Sequence, residues 1–208
     1  MTGIKGLVKK ASVTALVGFA LAGTGALAED VKQIISVEAS EVSVGAEETQ
    51  AKFSVFYSTE PDLAQTTGLR VRIHYDSSKL KFIGDPEFSI KDKTCDAESA
   101  SCPSFDFGSP AGFADQADDG NEDADATTDR KVLYAIFDEN GAFPELQFIK
   151  DGAIFNLEFP AALISLVFEK VDPSFEGTTV IKFTGSGGEG AELEFPEPLS
   201  IRFKGDEI

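Results

Sequence analysis

Apolar and polar residues alternate with a period of two through most of the chain. In residues 69–75, Leu69, Val71, Ile73 and Tyr75 fall on one side and Arg70, Arg72 and His74 on the other, which is the pattern of a strand with one buried face. Asp76-Ser77-Ser78 then offers a turn, and Leu80 and Phe82 resume the alternation. The same reading places strands at 33–38, 41–44, 50–57, 69–75, 79–83, 132–137, 163–170, 178–184 and 199–204. Most are short, carry Val, Ile, Phe or Thr, and end at Gly, Pro, Asp or Ser. Helical periodicity hardly occurs. Roughly nine short strands separated by turns predict an all-β fold, a single antiparallel two-sheet sandwich of jelly-roll type. The 18 phenylalanines fit a core filled from two facing sheets. Residues 138–163 have turn residues every few positions and read as mostly irregular, open to a loop, a short strand around 153–157 or a helical turn. The Gly-rich run 185–190 lacks the Lys-Ser/Thr ending of a phosphate loop and reads as a hairpin connection.

Composition changes the picture at the N-terminus. Lys5, Lys9 and Lys10 precede an apolar stretch, and Ala26-Leu27-Ala28 supplies a small-residue cleavage signal before Glu29. Residues 1–28 are therefore expected to be a cleaved export signal, and 29–208 a single domain. No later segment is long and apolar enough to span a bilayer, so the expected location is periplasmic or extracellular. The net charge of −18 becomes more negative once those three lysines are removed, which disfavours nucleic acid and anionic lipid as partners. Cys95 and Cys102 lie close together in a polar stretch. In an exported chain that spacing predicts a disulfide that staples a loop, because a redox dithiol needs a C-x-x-C at a helix start.

Several stretches resemble the cohesin domains of bacterial cellulosomes. They are Val42-Ser43-Val44-Gly45-Ala46-Glu47-Glu48, then His74-Tyr75-Asp76-Ser77-Ser78-Lys79-Leu80-Lys81-Phe82, and Tyr134-Ala135-Ile136-Phe137-Asp138. Asp151-Gly152-Ala153-Ile154-Phe155, Leu163-Ile164-Ser165-Leu166-Val167-Phe168 and Phe175-Glu176-Gly177-Thr178-Thr179-Val180-Ile181 continue the likeness over most of the chain after the leader. The resemblance implies a sandwich related to cellulose-binding modules and a non-catalytic role. Its implied partner is a dockerin, a small calcium-loaded protein module. The acidic insertion at about 106–130 departs from the compact family pattern.

That insertion is the densest cluster of chemistry. Residues 115–129 hold seven carboxylates and no base. Asp119, Asn121, Asp123 and Asp125 alternate as the oxygen ligands of a calcium loop do, but Ala124 and Arg130 stand where an EF-hand requires Gly and Glu. These four are candidate calcium ligands in a looser site, against the plain reading of a solvated acidic loop. No cofactor is otherwise required. His74 is the chain's one histidine and reads as a surface residue, with no serine nominated for a triad. The chain has no Trp, and its three tyrosines fall in strand patterns, which argues against a flat cellulose-binding face. The expected function is an exported, monomeric, non-catalytic binding module for a protein module or a glycan. Arg70, Arg72 and His74 form its candidate partner face. The alternative is a secreted, calcium-stabilised structural or envelope protein, and a hydrolase is a third class.

Overall fold

The computed structural model describes residues 31–83, 89–91, 104–106, 112–138, 141–144, 146–150 and 153–205. The leader expected at residues 1–28, and Cys95 and Cys102, lie outside the described residues. The chain runs through β1 (Val31–Val37), β2 (Glu41–Val44), β3 (Gln50–Glu60), β4 (Gly68–Tyr75), β5 (Leu80–Phe82), β6 (Ser89–Lys91), β7 (Ser104–Asp106) and β8 (Gly112–Ala117). It continues through β9 (Arg130–Phe137), β10 (Gln147–Lys150), β11 (Ala153–Asn156), β12 (Ala161–Lys170), β13 (Gly177–Gly187), β14 (Ala191–Glu194) and β15 (Leu199–Phe203). There is no helix among the described residues.

Two sheets form the sandwich, as the alternation predicted. The first has the order β14-β1-β3-β12-β5 and the second β2-β15-β13-β4-β9-β8. Hairpins β6–β7 and β10–β11 are separate two-stranded sheets. The expected all-antiparallel pairing needs one correction, since β1 pairs with β14 and β2 with β15 in parallel. The Gly-rich connection is also not a simple hairpin. It turns at Gly188, where Ala191 N donates to Gly188 O at 3.0 Å, and β14 then joins the opposite sheet from β13.

Side chains at the inward parity of both sheets make one core. Ala51, Phe53, Val55 and Tyr57 of β3 face Leu69, Val71, Ile73 and Tyr75 of β4, all buried. Phe168 is the centre of an aromatic group, with ring centroids 5.0 Å from Tyr75, 5.5 Å from Phe82 and 5.9 Å from Phe53. A register shift in β12 between Ala162 and Ile164 is a bulge that turns two consecutive residues, Leu163 and Ile164, inward. Gln33 is a fully buried polar residue beside this core. Gln33 donates to Tyr57 Oη at 2.8 Å, Thr66 Oγ1 at 3.0 Å and Gly68 O at 3.1 Å, and accepts from Gly188 N at 2.8 Å. Every hydrogen-bonding group of that amide is engaged, so its burial is compensated. Burial pushes the Tyr57 hydroxyl up to about 12, against the pull of Gln33 and Thr66.

Backbones approach closely where β4 meets its neighbours. Gly68 has φ +124, and a Cβ there would lie 2.1 Å from Ile136 O. At Gly185 a Cβ would lie 2.0 Å from Arg70 O. Only glycine fits either position.

Candidate functional site

The pairing registers of β13, β4 and β9 line up their outward residues in rows. Lys182, His74 and Lys131 form one row, Thr184, Arg72 and Leu133 the next, and Ser186, Arg70 and Ala135 the third. Basic residues directly opposite one another on a sheet repel. The first rows therefore need counter-charge, and the segment between β8 and β9 supplies it.

Residues 118–129 leave the β8–β9 ladder as a chain of tight turns folded back over this face. Asp118 N donates to Asp129 O at 2.9 Å, Asn121 N to Asp118 O at 3.0 Å, Ala124 N to Asn121 O at 3.0 Å and Thr128 N to Asp125 O at 3.1 Å. Asn121 and Ala124 take positive φ, 46 and 59, to make those turns. Carboxylates brace the turns from within. Asp125 Oδ1 accepts from Thr127 N at 3.0 Å, Asp123 Oδ1 from Asp125 N at 3.1 Å, and Asp123 Oδ2 from the Thr128 hydroxyl. At the base, Asp129 accepts from Ser77 N at 2.8 Å and Ser77 Oγ at 2.7 Å, tying the loop to the β4–β5 turn.

The same carboxylates meet the basic rows. Glu122 lies 2.6 Å from Arg72 Nε and 3.0 Å from Lys131 Nζ. Lys182 Nζ is 2.7 Å from Asp125 and 4.0 Å from Asp123. Asp118, with no side-chain exposure, accepts from Lys131 at 3.1 Å, from His74 Nδ1 at 2.9 Å and from Glu122 N at 3.2 Å. Burial works against the Asp118 charge, but Lys131 and His74 hold its carboxyl below the ordinary value. For Lys131, burial disfavours the ammonium, while Glu122 and Asp118 raise its pKa above normal. The Lys182 ammonium, with Thr127, likewise holds Asp125 well down.

Two expectations are corrected here. His74 is not a surface residue. Its outward parity is as predicted, but the loop covers it and its exposure is 0%. The acidic segment is not simply a solvated loop either, because Asp118, Glu122, Asp123 and Asp125 pair with the sheet's cations while Asp119 stays exposed. Of the candidate calcium ligands, Asp123 and Asp125 come together on Lys182, whereas Asp119 and Asn121 are exposed. Ligand atoms of His74, Asp118 and Asp123 lie within 4.8 Å of one another, a spacing suited to a cation. Two ammonium groups, Lys131 on Asp118 and Lys182 on Asp123, already supply positive charge there.

His74 also links two partners in the order of a hydrolase relay, with Asp118 on Nδ1 and Thr184 Oγ1 2.7 Å from Nε2. A general base must reach the proton that it takes from a bound substrate, and His74 is sealed beneath the loop. Its geometry is that of a structural tie between β4, β13 and the loop.

Beyond the loop the face is open. Phe137, at the end of β9, is 55% exposed, and the Arg70 guanidinium sits 5.7 Å from its ring centroid. Leu133 is half-buried and Ser186 exposed beside them. The candidate partner face is thus split, with Arg70 on the open side, Arg72 at the boundary and His74 enclosed. Sequence reasoning did not single out Lys131, Lys182, Asp118, Glu122 or Phe137. Strand parity was the available signal for Phe137 and Lys182, which sit at outward positions of predicted strands, whereas Lys131 falls just outside the strand expected at 132–137.

No family model matches this chain, and no curated protein does. Solved structures that resemble it are cohesin modules. The seventh ScaB type I cohesin from Pseudobacteroides cellulosolvens is 11% identical, with 86% of this chain and 95% of that one covered at a TM-score of 0.47. CaCohA2 from Clostridium acetobutylicum is 13% identical, with 83% and 91% covered at 0.47. A cohesin module of a Clostridium perfringens family 33 glycoside hydrolase is 11% identical, with 85% and 98% covered at 0.40.

Proposed function

We propose that this chain is an exported, non-catalytic binding module that recognises a protein partner through the outer face of its six-stranded sheet. The observation that carries the reading is the exposed Phe137 with the Arg70 guanidinium over its ring, on a regular sheet beside Leu133. Aromatic and Arg side chains held on a rigid surface are the residues that dominate protein interfaces. The pair also has little conformational freedom left to lose on binding, because each side chain restrains the other. A protein is favoured over a glycan by the burial of Tyr57, Tyr75 and Tyr134, which leaves no tyrosine platform for a sugar ring. The motif resemblance to cohesins points to a compact, dockerin-like module as the partner, and the leader at residues 1–28 to a site of action outside the cytoplasm.

The test is quantitative capture. The mature protein is immobilised, exposed to the native secretome, and the retained protein is identified and titrated by calorimetry. Phe137→Ala and Arg70→Ala should each weaken binding by about thirtyfold, the effect of losing a hot-spot residue of about 2 kcal/mol. Unchanged affinity in both folded variants would move the binding site off this face.

A further inference from the structure

The recognition face does not end where the loop begins. Lys182, Arg72 and Arg70 stand on successive rows, and Phe137 opposes Gly68 one row further. At the rise of an extended strand these four mark a track about 20 Å long. The loop body, residues 119–127, rests on the first part of that track through Glu122 on Arg72 and Asp125 on Lys182. Its two alanines, Ala124 and Ala126, are exposed, so no apolar side chain of the loop body is buried to hold it down. Its hydrogen bonds are internal turns or run to the base, as from Asn121 N and Glu122 N to Asp118 and from Thr128 to Asp123 and Asp125, and none of these reaches the sheet. The base is different. Asp118 and Thr128 are buried, and the Asp118–Asp129 backbone bond continues the ladder, so the body can lift while the base stays. Toward the sheet the body is held by its ion pairs, and a segment with few buried apolar contacts belongs to the less stable, earlier-opening part of a fold.

We propose that residues 119–127 are a displaceable ligand bound in cis, and that the track beneath them receives a carboxylate-bearing segment of the partner protein. This rests on the reading of the sheet as the recognition face and names the chemistry of its partner. The loop itself shows which groups the track accepts, namely carboxylates spaced to reach Arg72 and Lys182. The incoming segment takes over those two cations and seats an apolar residue on Phe137 beside Arg70. The chain's net charge of −18 repels anions at long range. Within a Debye length of about 8 Å, however, the uncovered row is locally positive, so only a segment in contact with the track is held. Closure by the loop withholds the site from weak anionic competitors.

The test uses a Glu122→Gln/Asp125→Asn protein, which keeps Asp118 and the loop base, including the bond from Thr128 to Asp123. The probe is a synthetic peptide of residues 118–129, with a control peptide in which every carboxylate is an amide. Fluorescence anisotropy should show the acidic peptide binding the variant about tenfold more tightly than the wild type, the gain expected when a competing closed state populated about ten to one is removed. Binding should weaken as salt rises, and the amide peptide should bind neither protein. Equal affinity for both proteins, or no binding to a folded variant, overturns the proposal. Should the variant not fold, hydrogen exchange on the wild type decides. The amides of Asn121 and Glu122, which are bonded to Asp118 at the base, should exchange faster in about 0.5 M than in about 0.05 M NaCl while core amides do not, and salt-independent exchange overturns it. Partner capture that depends on Phe137 without peptide binding would leave the recognition face standing and remove only the loop's role. Peptide binding without partner capture would do the reverse.

Discussion

Replacing Asp118 with Ala should be the most damaging single change in the loop. The carboxylate has no exposure and satisfies three donors, His74 Nδ1, Lys131 Nζ and Glu122 N. Truncation leaves an imidazole N–H without a partner inside the protein, which alone costs about 1–3 kcal/mol. It also leaves the Lys131 ammonium, 8% exposed, with only Glu122 for company. Breaking a buried ion pair from one side costs about 3–5 kcal/mol when the remaining charge is stranded. Because Glu122 keeps Lys131 partly compensated, the lower end of that range applies, and the whole change should cost about 3 kcal/mol. For a domain of this size the melting temperature should fall by roughly 6–12 °C. Urea unfolding followed by far-UV circular dichroism measures it directly. Asp118→Asn, which keeps an acceptor, should lose about 1–2 kcal/mol. Adding Lys131→Met to Asp118→Ala should recover about 1 kcal/mol or more, because the stranded charge is gone. A loss within about 0.5 kcal/mol of wild type, or a double variant worse than the single one, would refute the buried-tie account.

Asp118, Asp125 and Asp129 all have carboxyls held below the ordinary value. Their contribution is fully present above about pH 4 and should fade as pH falls through the depressed values, while that of Lys131 fades only above about pH 10.5; loop protection against hydrogen exchange should therefore fall on the acid side of about pH 4. Gln33→Leu should cost about 2–4 kcal/mol in urea unfolding, since it orphans Gly188 N and removes partners from Tyr57 and Thr66. Gly68→Ala should prevent stable folding or lower the melting temperature steeply, as its Cβ meets the Ile136 carbonyl. Millimolar calcium should leave the wild-type melting temperature unchanged, because Lys182 sits on Asp123 and Asp125; Lys182→Gln should make it calcium-dependent if those carboxylates then accept the ion.

The strands were legible because their signal is local. Leu69, Val71, Ile73 and Tyr75 announce a buried face within one window, and all four are buried. Each of the nine expected strands occurs, with ends shifted by a few residues. β6, β7, β8, β10 and β14 were missed: the first two have three residues each, and the others mix polar, charged or small residues with few apolar ones and take their strand form from pairing. The parallel pairings depend on residues far apart in the chain, and no single window contains them. His74 failed for a related reason. Its parity says which way it points, but whether anything covers that side depends on a loop 44 residues away in sequence. Composition held a usable hint in the seven carboxylates without a base, next to a strand pair rich in Arg, His and Lys.

The two parallel pairings have a mechanical consequence. β1 runs beside β14 and β2 beside β15, with Glu41 opposite Ser200 and Val44 opposite Phe203. A pull applied between Val31 and Gly205 draws the leading strand backwards and the trailing strand forwards, so neighbours slide lengthwise instead of peeling apart. The rungs between them lie across the direction of pull and share the load, and they must rupture together rather than one after another as in a zipper opened from its end. Rupture under tension is governed by the unfolding rate and not by equilibrium stability. Resistance to such a pull is therefore set by how many rungs must break at once, and not by the melting temperature.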